Sequence, residues 1–497
     1  SFFLTSFRNI IHLYNYSINK NKDSNHYLNN NYLFLFFFMT LIKSISGIRG
    51  TIGGRCGESL TPLDIVRFTS AYASFISKQG SSSNTIIIGR DARISGLMLK
   101  NLVSGTLLGC GFNVIDLGLS TTPTVEVAVQ LEQAAGGVIL TASHNPKEWN
   151  ALKLLNNSGE FISENDAKQI LKIASDDNFE FSSIDSLGHF SYDNSLNDRH
   201  INEVLNLELV DVDLVKSANF TVVLDAVNST GGIIIPELLD RMGVRCIKLF
   251  CEPNGHFPHN PEPLPENLND ISKLVLKEKA DFGIVVDPDV DRLAFICNDG
   301  SCFGEEYTLV AIADYILSKK PGNTVSNLSS TRALKDITIK YGGKYYASAV
   351  GEVNVVEAMK ENDAIIGGEG NGGVIYPKLH YGRDALVGIA LFLTYLAEKK
   401  ISVKSIRDSY PSYFILKKKI EAKSEIDMQS ILSFFKLYYK NEKITTIDGI
   451  KIDFQDQWVH IRKSNTEPIL RIYVESENKR KANELADKII EQIEKIL

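Results

Sequence analysis

An apolar run leads directly into three alternate aspartates in the stretch Phe282-Gly283-Ile284-Val285-Val286-Asp287-Pro288-Asp289-Val290-Asp291-Arg292. Because the run has no polar alternation, it predicts a short strand that helices cover on both faces. Runs of the same kind occur at residues 85–89, 137–140, 221–225 and 364–367, with segments of helical length between them. The pattern therefore predicts an α/β fold built from repeated units.

The segment after about residue 410 differs from these units. Residues 413–420 change from aromatic and aliphatic to basic, and residues 481–497 have the periodicity of an amphipathic helix. This change predicts a smaller C-terminal α+β domain. The polar residues at 175–200 are expected to join the first unit to the second. The chain length of 497 residues fits about three to four domains.

Composition argues against several classes of protein. The chain has 53 Lys and Arg against 60 Asp and Glu, whereas a nucleic-acid binder normally shows a basic surface. It contains no run of 18 apolar residues, so we expect no membrane-spanning helix. The six cysteines include no C-x-x-C pair, which argues against a zinc ribbon or a disulfide framework. Free thiols are typical of a reducing compartment, so a cytoplasmic location is expected.

Residues 1–38 differ in composition from the rest of the chain. They are rich in Asn, Phe and Tyr and end in an apolar run just before Met39. That run is too short to cross a bilayer, lies late for a signal peptide and lacks a small-residue cleavage site. We interpret residues 1–38 as a non-domain extension, translated from upstream sequence, with Met39 as the functional start. A targeting extension is the alternative.

Residues 141–146, Thr-Ala-Ser-His-Asn-Pro, follow a predicted strand and end in a turn. A serine at the carboxyl end of a strand presents its hydroxyl in a loop. Ser143 has His144 beside it and Lys153 ten residues further on, so it is a candidate nucleophile or phosphate carrier. A turn-stabilising or helix-capping serine is the structural alternative. A serine hydrolase is disfavoured because the chain contains no Gly-x-Ser-x-Gly.

The carboxylates of Asp287, Asp289 and Asp291 can converge on one hard cation, and oxygen-only ligation favours Mg²⁺ or Ca²⁺. Because three adjacent carboxylates repel one another, a bound cation is more plausible than a bare cluster. An EF-hand is excluded, since Arg292 and Asn298 stand where it needs Gly and Glu. A dehalogenase-type phosphatase needs Thr or Val in place of Asp291. A solvated acidic loop is the remaining alternative.

Two further loops carry groups suited to sugar and phosphate. Residues 368–373 formally contain G-x-G-x-x-G, but an extended, Pro-terminated segment follows instead of the helix that a dinucleotide site needs. Glu369 and Asn371 instead suit hydrogen bonding to sugar hydroxyls, with a plain hairpin as the alternative. Residues 462–466, Arg-Lys-Ser-Asn-Thr, suit a phosphate dianion, with a solvated basic loop as the alternative. Arg49 lies in a further glycine-flanked turn.

Taken in order, these loops resemble those of the α-D-phosphohexomutase family, which includes phosphoglucomutase/phosphomannomutase and phosphoglucosamine mutase. The resemblance covers residues 39–497, and residues 89–93 and 258–267 are also similar to the family. The opening at residues 45–51 most resembles archaeal-type phosphoglucosamine mutases. Four segments look like the phosphoserine, magnesium, sugar-binding and phosphate-binding loops, in this order: residues 141–146, 287–292, 369–373 and 462–466.

Two departures from the family pattern bear on the sugar. The commonest sugar loop reads Gly-Glu-x-Ser-Gly-His, so that Asn371 replaces Ser and Gly373 replaces His. Glu352 stands where some members have a histidine that contacts substrate. Both changes concern sugar specificity and leave the phosphoryl chemistry as expected.

The resemblance implies an isomerase that interconverts hexose 6-phosphate and hexose 1-phosphate through a 1,6-bisphosphate, which also serves as activator. Ser143 is expected to be phosphorylated in the resting enzyme. It is also expected to share one Mg²⁺ per active site with Asp287, Asp289 and Asp291, while Arg292 borders the transferring phosphoryl group. Glucosamine phosphate is the first choice of substrate, and glucose or mannose phosphate is the alternative.

The remaining site residues follow from the same resemblance. Arg49, His144 and Lys153 are candidates for electrostatic or acid–base assistance, and Glu369 and Asn371 are expected to bind the sugar hydroxyls. The groups expected to bind the distal phosphate belong to the last loop and are Arg462, Ser464, Asn465 and Thr466.

The family fold implies three related α/β domains and a smaller C-terminal domain around a central cleft, with a hinge near residue 410. Sugar phosphates are the expected partners, and the chain is expected to be a monomer or homodimer. A non-catalytic sugar-phosphate-binding protein would have lost Ser143 or part of the Asp triad, and a phosphatase would release phosphate. The expected domains are residues 39–190, 191–300, 301–410 and 411–497.

Overall fold

The computed structural model describes residues 40–44, 47–421, 427–463 and 469–496, which belong to one compact unit. The interpretations placed on residues 1–38 lie outside the described residues. Within these ranges the strands form four sheets, of seven, four, four and five strands. No helix in the described ranges is long and apolar enough to cross a membrane.

Helices and strands are interspersed along the chain of the first three units. The helices are α1 Pro62–Lys78, α2 Gly96–Gly109, α3 Thr122–Leu131, α4 Glu164–Ser175, α5 Ser195–Leu205, α6 Val212–Ala218, α7 Gly231–Arg241, α8 Asn269–Glu278, α9 Glu305–Lys319, α10 Ala333–Lys340, α11 Glu352–Glu361, α12 Ala385–Lys399, α13 Val403–Asp408, α14 Met428–Tyr438 and α15 Lys479–Glu494. The strands are β1 Ile42–Ser44, β2 Gly47–Thr51, β3 Thr85–Arg90, β4 Asn113–Leu119, β5 Gly136–Leu140, β6 Trp149–Leu155, β7 Phe190–Tyr192, β8 Thr221–Asp225, β9 Arg245–Leu249, β10 Phe282–Val286, β11 Leu293–Ile296, β12 Asn323–Asn327, β13 Tyr345–Ser348, β14 Ala364–Glu369, β15 Gly373–Ile375, β16 Phe414–Glu421, β17 Lys443–Thr445, β18 Ile450–Asp453, β19 Trp458–Lys463 and β20 Ile469–Ser476.

The five strands predicted from apolar runs are confirmed as β3, β5, β8, β10 and β14. Their middle residues are buried, as expected for strands that helices cover on both faces. The expected linker at residues 175–200 also contains β7, which pairs in parallel with β4 at the edge of the first sheet. The linker therefore extends the first unit.

The three α/β units share one topological feature. In each, a strand with a parallel neighbour runs into a loop, and the next strand returns antiparallel beside it: β5 to β6, β10 to β11 and β14 to β15. These loops are the predicted phosphoserine, metal and sugar loops. Each lies at the carboxyl end of a strand with a parallel neighbour, where open α/β sheets place their ligand sites.

The C-terminal domain has a different architecture. Its sheet has the strand order β16-β20-β19-β18-β17 with every neighbouring pair antiparallel. Buried apolar side chains of α14 and α15 pack with those of the sheet to form a separate core. The predicted amphipathic terminal helix is confirmed as α15. The predicted fold class, three α/β units and a smaller α+β domain, is also confirmed.

The second and third units share a continuous core. Phe282 and Phe295 of the second sheet pack against Phe392 of α12, and the rings of Phe295 and Phe392 stack with centroids 4.1 Å apart. Phe303 packs edge-on against Phe295 and Phe392. Burying a ring of this size contributes about 1.5–3 kcal/mol, so the cluster stabilises the contact between the metal-loop unit and α12.

Candidate active site

Ser143 is held in a strained turn with its hydroxyl directed at the second unit. Its φ is +49°, in the left-handed region, and its backbone N–H donates to Thr141 Oγ1 at 2.9 Å. The Ser143 hydroxyl donates to Asp287 Oδ2 at 2.7 Å. The predicted phosphoserine and metal loops, 144 residues apart in the chain, therefore meet at this contact.

A buried guanidinium binds the backbone of the Ser143 loop. Arg93 is 1% exposed and donates to the carbonyl oxygens of Ser143, Asn145 and Pro146 at 2.5–2.6 Å. It also forms an ion pair of 3.0 Å with Asp91. Sequence reasoning missed this role, although residues 89–93 were noted as family-like. Because Arg93 binds backbone carbonyls, no side-chain motif in the loop itself could have indicated it.

The three aspartates of the metal loop converge as predicted. A carboxylate oxygen from each lies within 4.8 Å of the others, and all three side chains are completely buried. Within the described residues, Asp289 Oδ1 and Asp291 Oδ1 have no hydrogen-bond partner. Unpaired buried carboxylate oxygens cost free energy, and an all-oxygen donor set suits a hard divalent cation. The residues present therefore fit a magnesium-type ion.

Burial and neighbouring charges act differently on the individual carboxyl groups. Burial, followed by the charges of Asp291 and Asp289, raises the pKa of Asp287 well above its usual value. Burial also acts to raise the pKa of Asp291, but the cations of Arg383, Lys153 and Arg292 lower it below the usual value. The surrounding cations therefore stabilise the ionised form of Asp291.

The metal loop is fixed by groups from two units. The hydroxyls of Ser229 and Thr230 donate to the Pro288 carbonyl at 2.7 and 2.8 Å. The Thr122 hydroxyl, from the first unit, donates to Asp289 Oδ2 at 2.6 Å. Since both units hold the loop, the triad keeps its position relative to Ser143.

Lys153 links the first unit to the triad. It lies on β6, and its Nζ is 2.7 Å from Asp289 Oδ2 and 3.4 Å from Asp291 Oδ2. Burial acts to lower its pKa, but the two aspartates outweigh burial and raise the pKa above its usual value. Lys153 is therefore a charged ammonium in this arrangement, and the deprotonated form that a general base needs is disfavoured.

His144 lies beside the Ser143 hydroxyl, with Nδ1 3.4 Å from Oγ. Burial, together with the charge of Arg292, holds its pKa well below its usual value. The imidazole is therefore neutral at physiological pH and can accept a proton only from a stronger acid.

Arg49 and Arg292 place two further guanidinium groups near the triad. Arg292 donates its backbone N–H to Asp287 Oδ1 at 3.2 Å and forms an ion pair of 2.8 Å with Glu262. The Nε atoms of Arg49 and Arg292 are buried, and neither has a hydrogen-bond partner in the part of the chain that the structure describes. Burial and the charges of Arg471 and Arg292 lower the pKa of Arg49. This concentration of positive charge favours a phosphate group.

The predicted sugar loop is the turn of the β14–β15 hairpin. Glu369 Oε1 accepts from Asn327 Nδ2 at 2.7 Å, and its Oε2 accepts from Arg383 at 2.7 Å. Asn371 Oδ1 accepts from the Gly373 backbone N–H at 3.1 Å. A strand follows the glycines, which confirms that the segment lacks the helix of a dinucleotide site.

Arg383 is a second residue that sequence reasoning missed. Its three nitrogens donate to Asp291 at 2.7 Å, Glu352 at 3.0 Å and Glu369 at 2.7 Å. The Glu352 that departs from the family pattern is therefore paired with an arginine. No spacing indicates this contact, because the partners lie in separate loops and meet only in the folded chain.

Arg462 lies on β19 in the fourth domain, with Nη1 3.9 Å from Asp448 Oδ2. Its Nε is buried without a hydrogen-bond partner in the described part of the chain. Ser464, Asn465 and Thr466, predicted to bind the distal phosphate, lie outside the described residues.

Models of four domains of one family match this chain in order. They are the phosphoglucomutase/phosphomannomutase α/β/α domains I, II and III, over residues 41–181, 198–300 and 304–413, and the C-terminal domain, over residues 417–492. Together they span well over half of the chain. The chain belongs to the phosphoglucomutase/phosphomannomutase family. The predicted family is confirmed, and with it the class of enzyme, an isomerase of the phosphohexomutase type.

Relatives of this phosphohexomutase align over nearly their whole length. A phosphoglucomutase/phosphomannomutase from Thermococcus kodakarensis is 33% identical over 454 residues, which are 90% of this chain and 98% of the relative. A probable phosphoglucosamine mutase from Methanopyrus kandleri is 32% identical over 90% of this chain and 96% of the relative. A crystal structure of a family protein from Burkholderia thailandensis matches with a TM-score of 0.79 at 23% identity. It covers 92% of this chain and 98% of that chain, and it supports the fold.

Proposed function

We propose that this phosphohexomutase moves a phosphoryl group between the 6- and 1-positions of a hexose through a phosphorylated Ser143. The observation that carries the proposal is the 2.7 Å contact between the Ser143 hydroxyl and Asp287 in a buried triad of aspartates. A hydroxyl in that position can carry a phosphoryl group whose charge the surrounding cations balance.

The reaction is proposed to run in two transfers. Phosphorylated Ser143 gives its phosphoryl group to the free hydroxyl of a hexose monophosphate, which forms a 1,6-bisphosphate and leaves the serine free. The bisphosphate then turns around, and Ser143 takes back the phosphoryl group from the opposite end. Atoms balance without water or a further phosphate donor, and a 1,6-bisphosphate added from outside would act as activator by restoring the phosphorylated serine.

Mg²⁺, one per active site, would be held by Asp287, Asp289, Asp291 and the Ser143 oxygen, and when bound would neutralise charge on the transferring group. Arg292 is proposed to border the same group, since its backbone N–H binds Asp287 and its side chain is 8% exposed.

The acid–base and electrostatic roles are distributed over three residues. Lys153 is proposed to act as a fixed positive charge, because Asp289 and Asp291 keep it protonated. His144 is proposed as a neutral hydrogen-bond acceptor that orients the attacking hydroxyl, because its lowered pKa leaves the ring unprotonated. Arg49, whose Nε has no hydrogen-bond partner within the described ranges, is proposed to bind the incoming phosphate.

The opposite end of the substrate is proposed to be bound by the third and fourth domains. Glu369 and Asn371 would bind sugar hydroxyls in both orientations, since a bisphosphate that turns around presents similar groups either way. The proposed binders of the distal phosphate are Arg462, Ser464, Asn465 and Thr466.

We propose glucosamine phosphate as the preferred substrate, with glucose or mannose phosphate as the alternative. Of two relatives with similar identity, one is named phosphoglucomutase/phosphomannomutase and the other probable phosphoglucosamine mutase. Sequence identity alone therefore does not separate these sugars. The choice of an amino sugar is supported by the opening at residues 45–51, which resembles archaeal-type phosphoglucosamine mutases, and by the probable phosphoglucosamine mutase among the relatives.

We further propose the partners, the oligomeric state, the location and the domain ranges of the chain. The partners are small sugar phosphates, and the chain is a monomer or homodimer that binds neither nucleic acid nor membrane. A cytoplasmic location is supported by the unpaired state of all six cysteines. The proposed domain ranges are residues 39–190, 191–300, 301–410 and 411–497.

The test is mutase activity with Mg²⁺ and a catalytic amount of hexose 1,6-bisphosphate, comparing glucosamine, glucose and mannose phosphates. We expect Ser143→Ala to abolish turnover, because it removes the hydroxyl that is proposed to carry the phosphoryl group. Ser158→Ala, an exposed serine of the same domain, should retain full activity. Full activity in Ser143→Ala would rule out the phosphoserine mechanism. Net phosphate release would instead indicate a phosphatase, and tight sugar-phosphate binding without turnover a non-catalytic protein.

A further inference from the structure

A second cluster of metal-ligating side chains lies beside the active site, formed by His200, His380 and Asp384. His200 is on α5, His380 lies in the loop before α12, and Asp384 is the N-cap of α12. One ring nitrogen or carboxylate oxygen from each lies within 4.8 Å of the others. The side chains are at most 1% exposed. The proposed phosphoryl transfer gives none of them a role.

Both imidazoles direct Nε2 at the same carboxylate oxygen. Asp384 Oδ2 is 3.0 Å from His200 Nε2 and 3.3 Å from His380 Nε2. The other oxygen, Oδ1, accepts the backbone N–H of Leu386 at 2.7 Å and so caps α12. Two ligand atoms of one tetrahedral ion, each about 2.0–2.1 Å from it, lie about 3.3 Å apart. The two Nε2–Oδ2 separations, which in this structure are hydrogen bonds, are close to that value.

The opposite nitrogens of the two rings already face oxygen atoms of α3. His200 Nδ1 is 2.9 Å from Thr124 Oγ1, and His380 Nδ1 is 3.4 Å from Glu126 Oε2. Histidines that bind a metal through one nitrogen donate the other N–H to a carboxylate, a carbonyl or another oxygen, which fixes the tautomer and the ring orientation. His200 Nδ1 has such a partner in Thr124, whereas the contact of His380 Nδ1 with Glu126 is an ion-pair distance without hydrogen-bond geometry. In both rings it is Nε2 that faces the Asp384 carboxylate.

The charge of the cluster also favours a cation. Glu126 is completely buried, and neither of its carboxylate oxygens has a partner with hydrogen-bond geometry in the described part of the chain. The same holds for His380 Nδ1. Asp384 places a carboxylate between two imidazoles in the interior, and a divalent ion offsets such a buried charge.

The backbone at Gly382 leaves room for His380 to lie against Glu126. A Cβ atom on Gly382 would lie 2.0 Å from Glu126 Oε2 and 2.7 Å from His380 Cε1. Only glycine therefore lets the loop before α12 bring His380 against Glu126.

We propose that His200 Nε2, His380 Nε2 and Asp384 Oδ2 bind a divalent transition-metal ion of the zinc class at a structural site separate from the aspartate triad. Two imidazole nitrogens favour zinc and its neighbours over Mg²⁺, which prefers oxygen ligands alone. The site joins α5 and α12 to each other and, through Thr124 and Glu126, to α3 of the first unit. Its ion fixes the start of α12, directly after Arg383.

The test is the metal content of the full-length protein, produced without an affinity tag and dialysed first against zinc and then briefly against EDTA. We expect about one zinc per chain to remain, because a buried site releases its ion slowly, whereas the aspartate triad loses its ion. His200→Gln and His380→Gln should each lose this zinc. The matched control is His256→Gln, which changes an exposed histidine and should keep it.

Two results would overturn the proposal. The first is wild-type protein with no zinc above background after dialysis, which would make the cluster two histidines hydrogen-bonded to Asp384 without a metal. The second is zinc that persists in His200→Gln and His380→Gln but is lost from Asp289→Asn, which would place the ion at the triad.

A cobalt spectrum keeps the proposal testable if the histidine variants do not fold. Wild-type protein and Asp289→Asn, loaded with Co²⁺, should both show the visible absorption of a tetrahedral site with nitrogen ligands. An octahedral all-oxygen site absorbs only weakly there. Absorption that disappears in Asp289→Asn, or is absent from both proteins, contradicts the site.

Discussion

Arg383 connects three carboxylates that belong to separate loops of the molecule. It binds Asp291 of the metal loop, Glu369 of the sugar loop and Glu352 at the start of α11. A planar guanidinium can donate in three directions at once, whereas the ammonium of a lysine is a single point charge. Arg383 therefore couples the position of a proposed metal ligand to that of a proposed sugar ligand.

We expect Arg383→Lys to weaken Mg²⁺ binding and catalysis together. Loss of the guanidinium leaves buried carboxylates unpaired. Apparent Mg²⁺ affinity and kcat/KM should therefore each fall by about 10- to 100-fold, as for other residues that hydrogen-bond to metal ligands. The measurement is mutase rate against Mg²⁺ concentration. Arg241→Lys is the control, since Arg241 also binds two carboxylates but lies on α7, outside the four loops. An unchanged Mg²⁺ dependence in Arg383→Lys would contradict the coupling.

At the scale of elements, β19 attaches the C-terminal domain to the third unit through His460. Its Nε2 lies 2.7 Å from the Asp448 carbonyl, which can only accept, so Nε2 carries the proton. Nδ1 is then an acceptor for the Ser329 hydroxyl, 2.9 Å away. Burial lowers the pKa of His460 to about 4. The neutral ring is therefore the form that holds this contact.

This lowered pKa predicts a pH dependence of stability. Between about pH 4 and pH 6.5 the unfolded chain binds a proton at His460 that the folded chain does not, so acid favours unfolding. Stability from this group is complete above about pH 6.5 and is lost as the pH falls toward 4, at up to about 1.4 kcal/mol per pH unit. The measurement is the thermal midpoint from pH 5 to pH 8.

The comparison that isolates His460 is with His460→Gln, which keeps a donor and an acceptor but does not titrate. Its midpoint should fall less steeply with acid than that of the wild type. Equal slopes for the two proteins would show that His460 does not titrate in this window.

At the scale of the whole molecule, polar groups contribute much of the contact between the fourth domain and the third. Lys451 Nζ donates to the Leu328 carbonyl at 2.8 Å, and the Val350 backbone N–H donates to Asp448 Oδ2 at 3.1 Å. The segment near the predicted hinge is held to α9, since Tyr307 donates to the Pro411 carbonyl at 2.7 Å. A polar interface is compatible with relative motion of two domains.

We expect the fourth domain to close over the cleft when substrate binds, pivoting near residue 410. Small-angle scattering on Ser143→Ala, which should bind without turnover, should show a smaller radius of gyration with glucosamine 6-phosphate than without it. Glucosamine alone is the control, because it lacks the phosphate that the fourth domain is proposed to bind. Identical dimensions with and without the sugar phosphate would argue against closure.

Much of the fold and of the candidate site was predictable because the sequence patterns that indicate them are local. The bounds of β8 and β10 agree with the apolar runs, since strands buried on both faces need continuous β-branched residues. The aspartates of the metal loop alternate within five residues, so one loop can present all three to one point. The sugar loop could be distinguished from a dinucleotide site because the segment after its glycines is extended and ends in proline. Such a segment does not predict the helix that a dinucleotide site needs.

The residues that sequence reasoning missed depend on contacts between distant parts of the chain. Arg93 binds backbone carbonyls some 50 residues away, and Arg383 reaches Asp291 across 92 residues. Glu126 meets His380 only because Gly382 leaves room for the approach. Such contacts follow from how the sheets and helices are placed, and no spacing in the sequence encodes them.

The sequence by itself determined the family, the α/β units and the residue types of the proposed phosphoryl chemistry, because these follow from local patterns and ordered motifs. The tertiary structure alone decided which charges meet: Ser143 with Asp287, Lys153 with Asp289, and Arg383 with three carboxylates. It also decided the protonation of His144 and His460. The physical reason is that burial and the distance between charges set a pKa, and both quantities exist only after the chain has folded.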